Sequence, residues 1–191
     1  MNANVVDRIQ GYDAGAKVFH WLTVALLLAQ YAVGWIMPAV KRGTEPEGWI
    51  NLHMSIGTTI LAVAVLRLAW RLLRGAPDPP ADLPRWQHVG AAAIHWLLYG
   101  LVIAMIFTGW SFASSRGWTI VVFGLVPMPA LFAKGSTIGH DLGELHIAVS
   151  WTLLAVAAAH VLAALIHEFV LRDTILRRML PDSSRERSAA S

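Results

Sequence analysis

Histidines recur at a regular interval inside the most apolar part of the chain. His146 and His160 lie fourteen residues apart in a stretch from Gly143 to Leu171 that reads GELHIAVSWTLLAVAAAHVLAALIHEFVL. On an α-helix this interval is a rise of about 21 Å and almost four complete turns, so both imidazoles fall on one face. Ionisable side chains inside a bilayer core are costly and mark functional sites. The spacing therefore fits a ladder of metal ligands and, equally well, two histidines that are hydrogen-bonded inside a helix bundle.

The composition places most of the chain in a membrane. Of 191 residues, 56% are hydrophobic and 14% are charged, whereas a soluble domain carries about 25% charged residues. The chain has no cysteine, which excludes disulfides and cysteine-held iron–sulfur clusters. Histidine, present eight times, remains as the strong metal ligand. The formal charge of +3 is small and dispersed, so we expect no nucleic-acid partner.

Hydropathy predicts an all-α fold, an integral membrane four-helix bundle that forms one domain over residues 1–181. Four apolar segments each exceed the roughly 20 residues that cross a bilayer. The predicted spans are residues 18–40, 49–73, 89–114 and 143–171. Nine tryptophans suit anchoring at the two membrane interfaces.

The connecting segments are distinct in character. Residues 74–85, RGAPDPPADLPR, contain four prolines and are predicted to form a loop, because proline disrupts a helix interior. Residues 115–142 include VVFGLVPMPALF, which is apolar but interrupted by Pro127 and Pro129. We predict that this segment is interfacial or re-entrant and lies over the bundle. Residues 182–191 are polar and are predicted to be a disordered tail.

Basic residues predict the orientation in the membrane. They are concentrated around the proline-rich loop and after the fourth span, at Arg71, Arg74, Arg85, Arg172, Arg177, Arg178, Arg185 and Arg187. Because cytoplasmic loops carry an excess of lysine and arginine, both termini are predicted to lie in the cytoplasm.

Depth then assigns the histidines to two pairs. His53 and His146 open spans that enter from the outer side, whereas His20 and His160 lie in the cytoplasmic half. Two histidines per level can hold one haem iron, because the porphyrin supplies the other four ligands. Zinc normally takes three or four protein ligands, so two haems fit better than two zinc ions.

An arginine supports the haem interpretation. Arg67 lies fourteen residues after His53 and therefore shares its helix face, one layer toward the cytoplasm. A buried arginine needs an anion, and a haem propionate is a suitable one. Snorkelling to the lipid headgroups is the alternative.

The other histidines have different predicted roles. His95, at cytoplasmic depth on the third segment, is a rival ligand to His20 or His160. His167 is predicted to be a surface group or part of a quinone site near the cytoplasmic edge. Solvent-facing positions are predicted for the remaining two, His88 and His140.

Taken in order, these motifs resemble the bacterial cytochrome b561 family. The matching stretches cover about residues 14–181 and read AKVFHWL, INLHMSIG, VLRLAWRLLRGAPDPP, AIHWLLYGLVIAMIFTGW, SSRGW followed by FGLVPMP, ELHIAVSW, AAAHVLAALIHEF and LRDTILRRMLP. Members are four-helix dihaem proteins of the bacterial inner membrane, with ligands on the first, second and fourth helices. The resemblance implies two b haems held by His20, His53, His146 and His160.

The resemblance also implies electron transfer with a membrane quinone. Members that oxidise superoxide and reduce ubiquinone make superoxide the favoured donor and a quinone-linked oxidoreductase the favoured activity. A haem-bearing anchor subunit of a dehydrogenase or hydrogenase complex, bound to a redox partner protein, is the alternative. A haem-free transporter or metal-binding membrane protein is the third class. No catalytic residue is assigned by these patterns.

Charged groups at the two ends suggest where substrates meet the chain. Arg116 and Lys134 form a basic mouth at the outer end that could attract a small anion such as superoxide, or bind headgroups or propionates instead. Lys17, Trp21 and His167 lie at the cytoplasmic end, where a quinone entering from lipid could take up protons.

Overall fold

Four long helices make up most of the described chain. The computed structural model describes residues 11–75, 77 and 84–180. The helices are α1 (Ala14–Ile36), α2 (Trp49–Arg74), α3 (Arg85–Ser115) and α4 (Thr137–Ile166). A π-helical turn continues α4 and a 3₁₀ turn follows it, at His167–Leu171 and Arg177–Met179. An antiparallel hairpin separates α3 from α4 and consists of β1 (Val121–Val122) and β2 (Val126–Pro127).

All four helices are long and apolar enough to cross a membrane. This confirms the predicted all-α, multi-pass membrane fold. The predicted disordered tail at residues 182–191, with Arg185 and Arg187, lies outside the described residues, as do residue 76 and residues 78–83 of the proline-rich loop.

Hydropathy alone misplaced four helix ends, namely both ends of α1 and the starts of α3 and α4; α3 begins at Arg85 rather than at 89. α1 begins at Ala14 rather than at 18, because the Asp13 carboxylate accepts a hydrogen bond from the Ala16 N–H at 3.0 Å. Its last helical residue is Ile36 rather than residue 40, since Met37 is extended in front of Pro38. α4 likewise begins six residues earlier than predicted, where Ser136 caps its first turn.

The helices pack as two pairs. α1 runs along α2 and α3 runs along α4, while contacts between α2 and α3 join the pairs. The buried core between them contains Val33, Ile56, Ile60, Ala64, Val102 and Leu153. In the described residues α1 and α4 have no comparable packing; the Tyr31 hydroxyl bridges them by donating to the Ser150 carbonyl at 2.7 Å.

Glycines bring α3 and α4 close together near the hairpin. A Cβ atom on Gly139 would lie 2.8 Å from the Ser115 Cβ and 3.1 Å from the Ser111 carbonyl oxygen. A Cβ atom on Gly143 would lie 2.4 Å from the Phe112 ring. This small-residue spacing of four is typical of tightly packed membrane helices.

Different hydrogen bonds hold the two ends of the bundle. At the terminal end, where α1 begins and α4 ends, the Tyr12 N–H donates to the Arg178 carbonyl and the Trp21 indole donates to the Met179 carbonyl. The Asp13 carboxylate also accepts from the Trp70 indole at 3.0 Å. Desolvation raises the pKa of Asp13, but the hydrogen bonds that its carboxylate accepts from the Ala16 N–H and the Trp70 indole, together with the charge of Arg74, outweigh this and leave that pKa below its usual value.

The hairpin end carries the segment that the sequence predicts to be interfacial. Its β-hairpin packs against α2, where the Phe123 N–H donates to the Ser55 hydroxyl at 3.0 Å. The Trp110 indole donates to the Pro129 carbonyl at 2.9 Å, and the Leu131 N–H donates to the Ser114 hydroxyl. Side chains of α2 and α3 thus hold this segment against the bundle.

Gly139→Ala should destabilise the fold, because its Cβ would meet backbone that cannot move aside. We expect a loss of about 1–3 kcal/mol in the free energy of unfolding, as for other overpacked sites, measured by thermal unfolding in detergent. Gly90→Ala on α3 is the matched control, since a Cβ there meets nothing within 4 Å. Equal melting temperatures for the two variants would contradict the packing argument.

Candidate haem-binding site

The structure brings four of the predicted site residues together as two pairs. His20 on α1 and His160 on α4 have ring centres 6.5 Å apart, with planes inclined by 68°. His53 on α2 and His146 on α4 have ring centres 6.2 Å apart, with planes inclined by 76°. The first pair lies toward the terminal end and the second toward the hairpin end, which is the pairing that sequence depth predicts.

The ring separations test whether an iron fits between the partners. Imidazole nitrogens bind transition metals at about 2 Å, and the ring centre lies about 1 Å further back, so rings on opposite sides of one metal have centres about 6 Å apart. Both pairs meet this spacing. His95 also approaches His160, but their centres are only 5.3 Å apart, which is too close for a metal between them.

The residues of the site also fit a cofactor that itself supplies most of the ligands to its metal ion. In the part of the chain that the structure describes, no three histidine, aspartate or glutamate side chains are placed to hold a metal ion. Two imidazoles complete the coordination of a porphyrin iron, whereas a bare zinc ion requires more protein ligands.

A cavity of about 510 Å³ lies between α1 and α4 at the terminal-end pair. This volume is within the roughly 300–1,000 Å³ of small-molecule sites. Its walls are mostly aliphatic, including Ala64, Ala157 and Ala158, and its polar groups are His20, Thr23, Tyr31, Arg67, His95, Tyr99 and His160. A flat, largely apolar group with a few polar substituents would match this lining.

Arg67 points into this cavity. Its Nη2 donates to the Nδ1 of His20 at 3.0 Å, and its guanidinium lies 5.5 Å from the centre of the Tyr99 ring. Arg71, one turn further on, lies against the Trp96 ring instead. Arg67 is therefore the cationic group nearest to the terminal-end pair among these arginines.

Hydrogen bonds orient the hairpin-end pair. The Nδ1–H of His146 donates to the Met105 carbonyl at 2.9 Å, which leaves the Nε2 lone pair for a ligand. The Nε2 of His53 accepts from the Gln30 amide at 3.0 Å. Among the described residues, the buried Nδ1 of His53 and Oε1 of Gln30 have no hydrogen-bond partner, and such orphaned polar atoms are expected where a group is still to bind.

Several of these contacts were missed by sequence reasoning. Gln30 could have been found, because an amide inside an apolar span is unusual. Tyr31, Tyr99 and the Met105 carbonyl carried no comparable signal, since aromatic and methionine residues are common in membrane helices and a carbonyl is present at every position.

His167 lies at the terminal end, outside both pairs. Its Nδ1 donates to the Asp173 carboxylate, and both side chains are 18% exposed. The other Asp173 oxygen accepts from the Ile175 N–H at 3.0 Å. The π-helical turn and Arg172, which has a left-handed conformation with φ of 56°, reverse the chain so that the two side chains meet. Lys17 is buried at the same end.

The basic residues at the hairpin end are partly structural. The Arg116 guanidinium lies 4.7 Å from the centre of the Trp118 ring and donates to the Lys41 carbonyl, so it ties the loop after α1 to α3. The stem of Lys134 packs against Gly117. The two histidines predicted to face solvent differ: His140 is exposed, whereas His88 is half-buried.

Helices long enough to span a membrane, with histidines paired at two levels, are the arrangement that a membrane cytochrome requires. A family model described as prokaryotic cytochrome b561 matches residues 11–182. The chain belongs to this family, which confirms the resemblance, and membership implies binding of haem b and electron transfer in a membrane.

Curated relatives match almost end to end. Cytochrome b561 homolog 2 of Escherichia coli is 30% identical over 177 residues, which cover 91% of this chain and 93% of that protein. A probable superoxide oxidase, CybB, of Yersinia pestis is 30% identical over 85% of this chain and 91% of its own length. Cytochrome b562 of Cereibacter sphaeroides is 26% identical over 89% and 95%.

Proposed function

We propose that the chain binds two b haems and carries electrons across the bacterial inner membrane to ubiquinone. The observation that carries this proposal is the pair of ring separations, 6.2 and 6.5 Å, at two levels of one bundle. The arginine bias supports a periplasmic hairpin end and a cytoplasmic terminal end. Each haem, when bound, supplies a one-electron redox centre.

Four histidines hold the haems in this proposal. His20 and His160 are the ligands at the terminal end, and His53 and His146 are the ligands at the hairpin end. The Met105 carbonyl keeps the proton of His146 on Nδ1, so that Nε2 is free to bind iron.

Arg67 is proposed to form an ion pair with a haem propionate. An imidazole that binds iron through Nε2 carries its proton on Nδ1 and cannot accept a hydrogen bond there. The bond from Arg67 to His20 would then be lost, and the guanidinium would pair with a carboxylate in the same cavity.

Removing a ligand should remove one haem. His160→Ala should lower the haem content from two per chain to one, measured as pyridine haemochrome per protein. His95→Ala is the matched control: it also lines the cavity, but its ring lies too close to His160 to share an iron, so it should retain two. Wild-type protein without the sharp reduced α-band of a low-spin b haem would contradict the proposal, and one haem in His95→Ala would transfer the ligand role to His95.

Superoxide is the proposed donor at the hairpin end. Superoxide would lose one electron and leave as dioxygen, and the haem that His53 and His146 would hold would supply the one-electron acceptor. The similarity to a probable superoxide oxidase supports the choice, as does the positive charge of Arg116 and Lys134, which would attract a small anion.

Lys134→Gln should slow reduction of the haems by superoxide several-fold, because one attracting charge is lost. Lys134→Arg, which keeps the charge, should retain the wild-type rate. Added salt should slow the wild type, since screening shortens the reach of the field. We choose Lys134 because replacing Arg116 would also release the Lys41 loop. If the rate of haem reduction by superoxide, measured by stopped flow, changes with neither the charge at position 134 nor the salt concentration, the anchor-subunit alternative is favoured.

The quinone is proposed to bind at the terminal end, close to Lys17, Trp21 and His167. Conversion of ubiquinone to its quinol takes two electrons and two protons. The haem that His20 and His160 would hold would supply these electrons one at a time, and His167, which contacts Asp173, would pass on the two protons in turn from the cytoplasm.

His167→Gln should slow reoxidation of the haems by a soluble ubiquinone analogue, while their reduction by superoxide stays unchanged. Asp173→Asn should slow the same step, because His167 loses the partner that orients it. Arg177→Gln on the neighbouring turn is the control, since it disturbs only the more exposed pair with Glu168. Equal reoxidation rates in all three variants would place the quinone elsewhere.

A further inference from the structure

α3 contributes none of the four paired histidines, yet it lies directly against one of them. A Cβ atom built on Gly109 would be 2.7 Å from the Cε1 of His146 and 2.9 Å from its Nδ1. Real Cβ atoms essentially never approach another atom within 3.0 Å. The imidazole therefore occupies the space that any side chain at position 109 would need.

The backbone does not explain this glycine. Gly109 lies inside α3 with no positive φ, and a glycine in a helix interior is about 1 kcal/mol less favourable than alanine. Gly100 on the same helix shows the contrast, because a Cβ atom there would meet nothing within 4 Å. The contact with His146 is what distinguishes position 109.

The ring of His146 has little freedom to move away. Its Nδ1–H is bonded to the Met105 carbonyl at 2.9 Å, and the Thr108 hydroxyl lies 3.3 Å from the same nitrogen. The His53 ring stands opposite it, with centres 6.2 Å apart. α3 thus approaches the imidazole at three positions, with the carbonyl of Met105, the hydroxyl of Thr108 and the backbone of Gly109, which has no side chain.

We propose that Gly109 is a positioning residue for the hairpin-end haem, because it lets α3 hold the His146 imidazole at the place and tilt that iron coordination needs. This inference rests on the proposed function. A side chain at position 109 would have to displace the ring by about 0.7 Å to restore ordinary contact. Functional sites tolerate displacements of about 0.5 Å, and an imidazole–metal bond is only about 2 Å long.

The test compares Gly109→Ala with Gly100→Ala in the full chain, purified in detergent. Haem per chain and the low-temperature EPR spectrum of the ferric protein are measured, because the low-spin signal depends on the angle between the two imidazole planes, here 76°. We expect Gly109→Ala to lose the hairpin-end haem, or to shift its EPR signal, while the terminal-end signal is unchanged. Gly100→Ala should match the wild type. Two unchanged signals in Gly109→Ala would overturn the inference.

A double-mutant cycle covers the case in which Gly109→Ala folds poorly. If the clash is with the imidazole, Gly109→Ala should lower the melting temperature of the wild type but not that of His146→Ala. An equal loss in both backgrounds, or failure of the double variant to accumulate where His146→Ala does, would show that the glycine serves helix packing alone and would overturn the inference. Wild-type protein with fewer than two haems would instead overturn the proposed function.

Discussion

The separation between α1 and α4 is the constraint on which the site depends. These helices carry His20 and His160, and among the described residues they lack the extensive packing that joins the other neighbours. A cavity of about 510 Å³ fills the space between them. Tyr31 bridges the same gap through its bond to Ser150, so the distance is bounded on one side of the cavity. Closer packing would bury more apolar surface but would leave no room between the imidazoles.

α2 and α3 maintain this separation. α2 holds α1, α3 holds α4, and the contact between α2 and α3 joins the two pairs. The close approach of α3 to α4 at Gly139 and Gly143 keeps α4 against its partner rather than against α1. At the terminal end, Trp21 and Tyr12 donate hydrogen bonds to the segment after α4. These bonds connect the start of α1 to the chain that follows α4, beyond the end of the cavity. The two histidine pairs are thus held in place partly by α3 and by the segment after α4, which contribute no residue to either pair.

Much of the fold could be predicted from residue type and order. The four spans follow from hydropathy, because a segment inside lipid must be both apolar and long. Errors occurred at the helix ends, where Asp13 and Ser136 act as caps: a polar first turn lowers hydropathy without preventing a helix. Depth favoured pairing His20 with His160 and His53 with His146, since the direction of each span fixes the level of its residues, but it left His95 as a rival at the cytoplasmic level.

The sequence by itself determined that the chain crosses a membrane four times and places histidines at two levels, because helix rise and bilayer thickness convert residue spacing into depth. It left the choice between His20 and His95 open, since both have the same depth. Tertiary structure alone supplies the lateral distances to His160, 6.5 Å for His20 and 5.3 Å for His95, on which the proposed choice of His20 rests. It also decided the partners of Arg67, Gln30 and Gly109, because which helix faces which is a property of packing that spacing along one chain does not encode.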